Sequence, residues 1–511
     1  MRIPPTARDK VARVNLETLL STSQRRYVLA TVAGLLVPLA FAPFDFIPVI
    51  FVSLAALFIV WRCASAREAF WSGFLFGVGM FGVGVSWVYV SMHDFGGVSA
   101  PLGVFLTLLF ALFLALFPAA VGWLQVRYFR QPDALWLNAL ALSALWVLAE
   151  WCRGWIFTGF PWLTVGYSQV DSPLSGVAPI LGVYGVSWAV IFLVALLVFA
   201  RRTNIWKVAL PAVAVLSLAA LALTSIEWAT PAGAPIKVAL LQGNVSQDLK
   251  WRPEQRQPTI DWYIENTRLS WGSDLIIWPE TALPVFYHQA HDFLAELGHE
   301  ARNASADVFI GMPVMNTRTQ QYYNSMVSVG GPEQIYSKQH LVPFGEYIPF
   351  AALLGGLMEF MQVPLPDFST EPSAPVVKLA GYPMGVSICY EDAFGEEVIN
   401  ALPEAAALIN TSNDAWFGDS MAPHQHLQIA RMRALETQRP MLRATNTGVT
   451  AAIDHHGRVI VQAPQFEAAV LRATVQPMQG ATPYVRVGNT MLIAVLMLLA
   501  GTIILVVRKR V

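Results

Sequence analysis

Three residues far apart in the chain could together carry out acyl chemistry. Glu280 closes "LIIWPE", Lys338 lies in "IYSKQHLVPFGEYIP", and Cys389 ends "MGVSIC". A thiol is a strong nucleophile only as a thiolate, and its free pKa of about 8.5 keeps it mostly protonated at neutral pH. It needs a base to take its proton and a cation to steady the oxyanion formed when it attacks a carbonyl. A carboxylate and an ammonium fill those roles. Taken singly, each residue has a blander reading: a solvated loop glutamate, a surface lysine, an inert packed thiol. Two facts weigh against this. Residues 228–487 hold only Lys237, Lys250, Lys338 and Lys378, and Lys338 is closely followed by Pro343, Gly345, Glu346 and Pro349, an odd setting for a solubilising charge. Of the three cysteines, Cys63 and Cys152 lie in or beside apolar runs, which leaves Cys389 as the one in the charged region. Three cysteines make no disulfide framework.

The elements that must position these side chains are short apolar runs. Strands are expected at Ile236–Leu241, Leu275–Trp278, Val308–Gly311, Met384–Ile388, Ala406–Asn410, 441–445, 449–454 and 470–475. Near-continuously apolar strands with helical stretches between them point to a buried sheet covered on its faces. Reactive side chains in α/β folds collect at strand ends, where all three candidates fall or nearly fall.

The rest of the chain is of another kind. It has 511 residues, 55% apolar and 13% charged, with a net charge of -1. That composition is a membrane protein's and implies no bulk attraction to nucleic acid. Apolar runs near 27–44, 46–61, 69–92, 101–126, 136–152, 177–200 and 205–226 predict seven membrane spans, and 490–507 an eighth. The first two are short, meet near Pro43 and predict a tight hairpin. Ala40-Phe41-Ala42 faintly resembles a signal-peptide cleavage site, but Pro43 and another apolar run follow at once, so an uncut first helix is expected. Trp87, Tyr89, Trp146, Trp151 and Trp155, at or near run ends, fit an interfacial belt. Basic residues mark one side: Arg2, Arg8, Lys10, Arg13, Arg25 and Arg26 in the N-terminal tail, Arg62, Arg67, Arg127, Arg130, Arg201, Arg202 and Lys207 in alternate connections, and Arg508, Lys509 and Arg510 at the C-terminus. The positive-inside rule then puts both tails in the cytoplasm and the segment between the seventh and eighth spans outside it. The expected division is a membrane domain over 1–227, an extracytoplasmic α/β domain over 228–487, and a last span with its tail over 488–511.

In that order, "IIWPETALP", "YSKQHLVPFGEYIP" and "SICYEDAFG" resemble the Glu-Lys-Cys signature of the nitrilase superfamily. With the spans, and with "LINTSNDAWFGDS" and "RATNTGVTAAID", the chain resembles the apolipoprotein N-acyltransferase family of the bacterial inner membrane. The resemblance implies an αββα sandwich with Cys389 as nucleophile, Glu280 as general base and Lys338 as oxyanion stabiliser. It also implies a supporting carboxylate at Glu346, roles for Tyr390 and Glu391 beside the nucleophile, and Trp251, in "QGNVSQDLKW", on a loop over the site. Plain packing is the rival reading for Trp251.

The activity so implied passes an acyl chain from a phospholipid, phosphatidylethanolamine being the expected donor, to the α-amine of a diacylglyceryl-modified N-terminal cysteine. No cofactor, metal or nucleic acid is expected, and the chain is expected to act as a monomer. A Gly-Lys pair is absent, so there is no Walker-type phosphate loop. The apolar run 349–366 predicts an arm dipping into the interface. Two alternatives stand beside this reading: a membrane-anchored amidase with water as acceptor, and a transporter or scaffold with a dead nitrilase-like domain. His288, His291, His424 and His426 read as surface or supporting histidines, not a zinc site. Arg431, Arg433 and Glu436 read as ion pairs bracing the site, or less readily as lipid-phosphate contacts. Glu150 and Arg153, near the outer end of the fifth span, could pair with each other or face a lipid headgroup.

Overall fold

The computed structural model describes residues 20–131, 134–200, 206–347 and 368–508. The predicted arm at 349–366, and Arg2, Arg8, Lys10, Arg13, Arg201, Arg202, Lys509 and Arg510, lie outside the described residues.

Each apolar run of the N-terminal region forms a helix. These are α1 (Ser23–Leu36), α2 (Pro48–Cys63), α3 (Ala66–Gly84), α4 (Ala100–Leu124), α5 (Leu135–Arg153), α6 (Ala178–Phe199) and α7 (Trp206–Leu223). A capping box starts α3: Ser65 Oγ accepts from the Glu68 amide, and the Glu68 carboxylate accepts from the Ser65 amide. Helices α1 and α2 pack together as the expected hairpin. Four described stretches are long and apolar enough to cross a membrane: Ala100–Phe129, Leu135–Arg153, Pro173–Phe199 and Thr490–Val507. Ala66–Gly84 with Trp87–Phe95, bent by 49°, makes a fifth if the pair counts as one span. That is fewer than the eight crossings expected. Helix α1 has 14 residues and α2 has 16, short of the ~20 that cross a ~30 Å hydrocarbon layer. The apolar part of α7, Ala209–Leu223, is short as well.

Close packing of α3 on α4 depends on small residues, as is usual where no hydrophobic drive separates helix from lipid. A Cβ at Gly73 would stand 2.5 Å from the Pro118 carbonyl oxygen, and one at Gly77 would stand 2.6 Å from the Ala115 Cα. The lipid-type face of α4 presents Val104, Phe105, Leu108, Leu109, Leu112 and Leu116, all exposed. The aromatic belt is only partly as expected. Trp155 is exposed, but Trp87 and Trp146 are buried, the latter against Phe58, Trp61 and Phe76.

The second region is a sandwich of two six-stranded sheets. The strands are β1 (Ile236–Gln242), β2 (Leu275–Ile277), β3 (Asp307–Met315), β4 (Tyr322–Val329), β5 (Ile335–Ser337), β6 (Val376–Leu379), β7 (Tyr382–Ile388), β8 (Ala407–Ser412), β9 (Met441–Thr445), β10 (Ala451–Ile453), β11 (Val459–Gln462) and β12 (Ala469–Val475). One sheet runs β12-β1-β2-β3-β4-β5 and the other β11-β10-β9-β8-β7-β6. The inner strands β1-β2-β3 and β7-β8-β9 are parallel, and the outer pairings are antiparallel. Val238, Leu240, Ile277 and Phe309 of one sheet meet Val386, Ile388, Ile409 and Leu442 of the other in a dry core. Helices α8 (Pro253–Arg268) and α9 (His291–Asn303) cover the first sheet through Tyr263, Leu294 and Leu297. Helix α10 (Ala422–Thr437) covers the second through Leu427, Ala430 and Ala434. The result is the αββα sandwich that the resemblance implies. Helix α11 (Thr490–Arg508) follows it.

Candidate active site

The three reactive candidates follow the C-terminal ends of three strands, β2 and β5 of one sheet and β7 of the other. Cys389 follows β7 and opens a tight turn, Cys389–Ala393, with φ at 53°, in the left-handed region. A side chain there is thrust off the strand direction, at a backbone cost of about 1–3 kcal/mol held by the surrounding structure. Glu280 stands three residues beyond β2, and Lys338 directly follows β5. The largest charges acting on the Cys389 thiol are those of Glu280 and Lys338. Burial pushes the thiol well above its ordinary value, Glu280 adds to this, and Lys338 opposes it.

Hydrogen bonds lock the two charged partners. Lys338 Nζ lies 3.9 Å from Glu280 Oε1 and 2.8 Å from the Glu346 carboxylate. Burial works against this ammonium, but Glu346 and then Glu280 outweigh it and hold Lys338 above its ordinary value. Glu280 accepts from Asn324 Nδ2 at 2.6 Å and from the Asn413 amide at 2.7 Å. Asn324 also reaches Glu346 at 3.2 Å, so one β4 amide aligns both carboxylates. Glu346 is fixed in turn by the Val342 amide at 2.8 Å.

Glu391 joins the nucleophile turn to the lysine segment. One of its oxygens accepts from the Ile388 amide at 2.6 Å and the Tyr336 hydroxyl at 2.9 Å. The other accepts from the amides of Gln339 at 2.6 Å and His340 at 3.1 Å. Burial still raises its pKa. Tyr390 points the other way. Its hydroxyl donates to Gly159 O at 2.8 Å and its ring stacks on Trp162, both in the loop after α5. Trp251 is 52% exposed and ends the helical turn Gln247–Lys250. That turn touches the site: Lys250 Nζ reaches the Glu280 carbonyl at 3.4 Å, and Gln247 accepts from Asn413 Nδ2 at 2.7 Å.

Several groups here had no sequence signal strong enough to single them out. Asn324 and Asn413 are such a pair. Lys250 is another: it is 4% exposed, and burial pushes it down to about 8 against the opposing pull of Glu280. Behind Cys389 lies a buried charge cluster. His426 contacts Asp392 at 2.9 Å, Asp414 at 3.1 Å and the Cys389 carbonyl at 3.2 Å. Arg443 donates to Asp414 at 2.8 Å and contacts Asp392 at 3.4 Å. His426 is thus a supporting group and not a surface one. Arg433 and Glu436 form the expected internal ion pair at 3.0 Å, whereas Arg431 reaches across to Asp171 in the loop before α6. Glu150 and Arg153 feel each other's charge, but their hydrogen bonds go to other partners. Both are buried: Arg153 donates to the carbonyls of Phe160 and Trp162, and Glu150 accepts from the Val165 amide and Trp146 Nε1.

A cavity of about 800 Å³ lies beside the site, at the seam between the sandwich and α5 and α6. Gln339, His340, Ala393 and Phe394 wall it on one side, Trp151, Trp155 and Tyr184 on the other. The three reactive side chains do not line it, but Gln339, the residue after Lys338, does, as does Ala393 at the end of the Cys389 turn.

An αββα sandwich with Cys, Glu and Lys at its strand ends, set on apolar helices, defines the class: a carbon-nitrogen hydrolase domain carried by a membrane domain. The profile described as carbon-nitrogen hydrolase matches residues 237–484, and that of the apolipoprotein N-acyltransferase N-terminal domain matches 33–196. Among solved structures, a carbon-nitrogen hydrolase from Helicobacter pylori aligns at 14% identity and a TM-score of 0.36, over 47% of this chain and 89% of that one. Three relatives named apolipoprotein N-acyltransferase span nearly the whole length. That of Methylococcus capsulatus is 50% identical over 90% of this chain and 92% of its own. That of Nitrosomonas europaea is 47% identical over 94% and 97%, and that of Azotobacter vinelandii 45% over 90% and 91%. The chain belongs to the apolipoprotein N-acyltransferase family and is an acyltransferase. The water-accepting amidase alternative is not favoured.

Proposed function

We propose that this chain moves a fatty acyl group from a phospholipid, phosphatidylethanolamine foremost, to the α-amine of the lipid-modified N-terminal cysteine of an apolipoprotein, through a thioester on Cys389. The observation that supports the reading is the placing of the Glu280 carboxylate 3.9 Å from Lys338 Nζ, both at strand ends within electrostatic reach of the Cys389 thiol. Glu280 takes the thiol proton as sulfur attacks the ester carbonyl. Lys338 steadies the oxyanion. The C–O bond breaks, Glu280 returns the proton to the departing oxygen, and lysophospholipid leaves. The acceptor amine then attacks the thioester, its proton passes through Glu280 to the sulfur, and an amide forms. The thioester is more activated than the ester it comes from, but the final amide is the most stable of the three acyl linkages, so the overall transfer needs no nucleotide. Glu346, Glu391 and Tyr390 position these groups, and Trp251 sits on the loop that covers them. The set lies within one chain, which fits a monomer.

The same proposal has the three shorter helices enter the bilayer too, giving eight crossings in the bacterial inner membrane with both tails cytoplasmic and the sandwich periplasmic. Arginine contacts support this orientation. Arg62 caps the Val198 carbonyl and Arg130 the Ala64 carbonyl, which gathers the basic connections at one end of the helices. The sandwich docks at the other end, where Gln425 accepts from Trp87 and Trp162.

The test uses purified full-length protein, phosphatidylethanolamine and a diacylglyceryl-cysteine peptide, read by mass spectrometry. Expected are an acyl adduct on Cys389 and N-acylated peptide, both lost in Cys389→Ala and kept in Cys63→Ala and Cys152→Ala. Fatty acid released without N-acylated peptide would overturn the transferase reading, and an adduct surviving Cys389→Ala would overturn the nucleophile.

A further inference from the structure

Away from the acyl-transfer site, three metal-ligating side chains meet where α7 hands the chain to the sandwich. Glu227 lies in that connection, just before the short strand Ala229–Pro231, and His455 and His456 sit side by side in the turn from β10 to β11. His455 Nε2 is 3.4 Å from one Glu227 oxygen, and His456 Nε2 is 3.3 Å from the other. The two imidazole centroids are 4.0 Å apart. One donor atom from each residue falls within 4.8 Å of the others, and among the described residues no other group of three converges this way.

The separations carry information. Good N–H···O hydrogen bonds run at about 2.7–3.2 Å, and both contacts are longer. Ligand atoms about 2.0–2.2 Å from a tetrahedral zinc-type ion stand roughly 3.3–3.5 Å from one another by geometry alone. Each imidazole stands at such a distance from one oxygen of the carboxylate, and the three donor atoms, one per residue, lie within 4.8 Å of one another. Two imidazoles and one carboxylate suit a borderline transition metal, whereas magnesium and calcium take oxygen ligands.

Both halves of the site are held in place without help from an ion. Asp454 Oδ1 accepts from the amides of His456 at 2.9 Å and Arg458 at 2.8 Å, and Arg431 Nε donates to Gly457 O at 2.8 Å. On the other side, Gln438 accepts from the amides of Trp228 at 2.6 Å and Ala229 at 2.9 Å and donates to Ile226 O at 2.9 Å. Such bracing is what a preorganised site requires.

We propose that Glu227, His455 and His456 bind one divalent ion of the zinc class, with water completing its shell, and that the ion clips the segment leaving α7 to the catalytic sandwich. The role is structural, since none of the three ligands touches Glu280, Lys338 or Cys389 in any hydrogen bond or ion pair of the described residues. It stands apart from the acyl-transfer reading and does not depend on it.

The test uses full-length protein in detergent, purified on a tag without histidines, stripped with chelator and titrated with Co²⁺ and then Zn²⁺. Expected is one Co²⁺ per chain with the intense visible absorption of a tetrahedral site, displaced by Zn²⁺, and a rise in Tm with Zn²⁺. Affinity should fall at least tenfold in His455→Ala/His456→Ala and about tenfold in Glu227→Gln. The single variants His455→Asn and His456→Gln, which keep a polar side chain of similar size, should weaken binding too. Unchanged acyl transfer in metal-free buffer checks that each variant is folded. Equal Co²⁺ uptake by wild type and the double variant would overturn the proposal, as would no uptake by wild type, which would leave a hydrogen-bonded trio only.

Discussion

Replacing Glu391 by glutamine changes one oxygen to an NH₂ group in a buried spot where every neighbour is a donor. The four donors are the amides of Ile388, Gln339 and His340 and the Tyr336 hydroxyl. The amide oxygen of glutamine can keep one pair of them. The Tyr336 hydroxyl can rotate and accept, but a backbone N–H cannot, so at least one buried N–H faces another N–H. Hydrogen bonds to a charged acceptor contribute about 1.5–3 kcal/mol each, so losing two removes roughly 3–6 kcal/mol. Part of this returns, because burial disfavours the Glu391 charge and glutamine carries none. A net loss of about 2–4 kcal/mol follows. It falls on the joint that holds the Cys389 turn against the Lys338 segment, and a misplacement of about 1 Å in such a constellation costs about 100-fold in rate. The assay is quenched-flow mass spectrometry of the Cys389 acyl adduct, with Tm measured in the same detergent. Expected are a drop in acylation rate of about 100-fold, little change in KM for the lipid, and partial rescue by Glu391→Asp. A variant with lowered Tm but an acylation rate within threefold of wild type would refute the alignment argument. Glu391 would then be a brace and nothing more.

Lys338→Met should lower thioester formation by about 100- to 1000-fold, the usual loss on removing an oxyanion donor. It should also lower Tm, since Glu346 and Glu280 lose their buried counter-charge, and an unchanged rate constant for adduct formation would refute the role. His426 is pushed up to about 9, chiefly by Asp392 and Asp414 acting against burial and Arg443. An unfolded histidine titrates near about 6.5, so the stability His426 contributes is full below that pH and is lost as pH rises through about 9. The whole effect is roughly 3 kcal/mol. Urea unfolding between pH 6 and 10 should show this fall in wild type and not in His426→Asn, and parallel profiles would refute it. Tyr390→Phe removes the hydrogen bond to Gly159 O, about 1 kcal/mol. It should raise KM for the lipid more than it lowers the acylation rate, because the bond holds the loop beside the cavity, and the reverse pattern would place Tyr390 in the chemistry itself.

The proposed trio stands out in the sequence because each member breaks its context: a lysine in a lysine-poor region, a thiol ending an apolar run, a carboxylate closing another. The central strands were legible for the same reason, being continuous apolar runs buried on both faces. Strands β4, β5, β6 and β11 were not. In β4, "YYNSMVSV" carries Asn324 and Ser325 inward to hydrogen bonds, so its polarity disguises its burial. Strand β5 has three residues and is defined by its neighbour's register more than by its own pattern. Helix α10 misleads more strongly. "APHQHLQIARMRALET" reads as polar on every side, yet nearly all of it is buried, because one face meets a sheet and the other meets α6. Its charges are matched by Asp392, Asp414, Val183 and Asp171, partners brought together by the fold. Trp87 and Trp146 show the same limit: composition puts aromatics near helix ends, and only packing says whether they face lipid or protein.

Those same contacts explain why the sandwich needs its helices. At Gly182, where φ is 66°, α6 kinks, and the Val183 amide turns to donate to Glu436 of α10. A Cβ at Gly182 would stand 2.6 Å from the Tyr484 ring, so the kink and the docking of the sandwich require each other. Arg153, at the end of α5, holds the carbonyls of Phe160 and Trp162, Gly159 of the same loop accepts from Tyr390, and Tyr390 is the residue after Cys389. His340, two residues beyond Lys338, contacts the Thr158 carbonyl of that loop at 3.0 Å. Both the nucleophile turn and the lysine segment are therefore tied directly to the end of a membrane helix. A soluble copy of residues 228–487 would lose the acceptors for Tyr390 and His340 and leave Glu436 without its amide. The membrane domain thus acts on the site as a structural part of it, and anchoring in the bilayer is one of two tasks it performs.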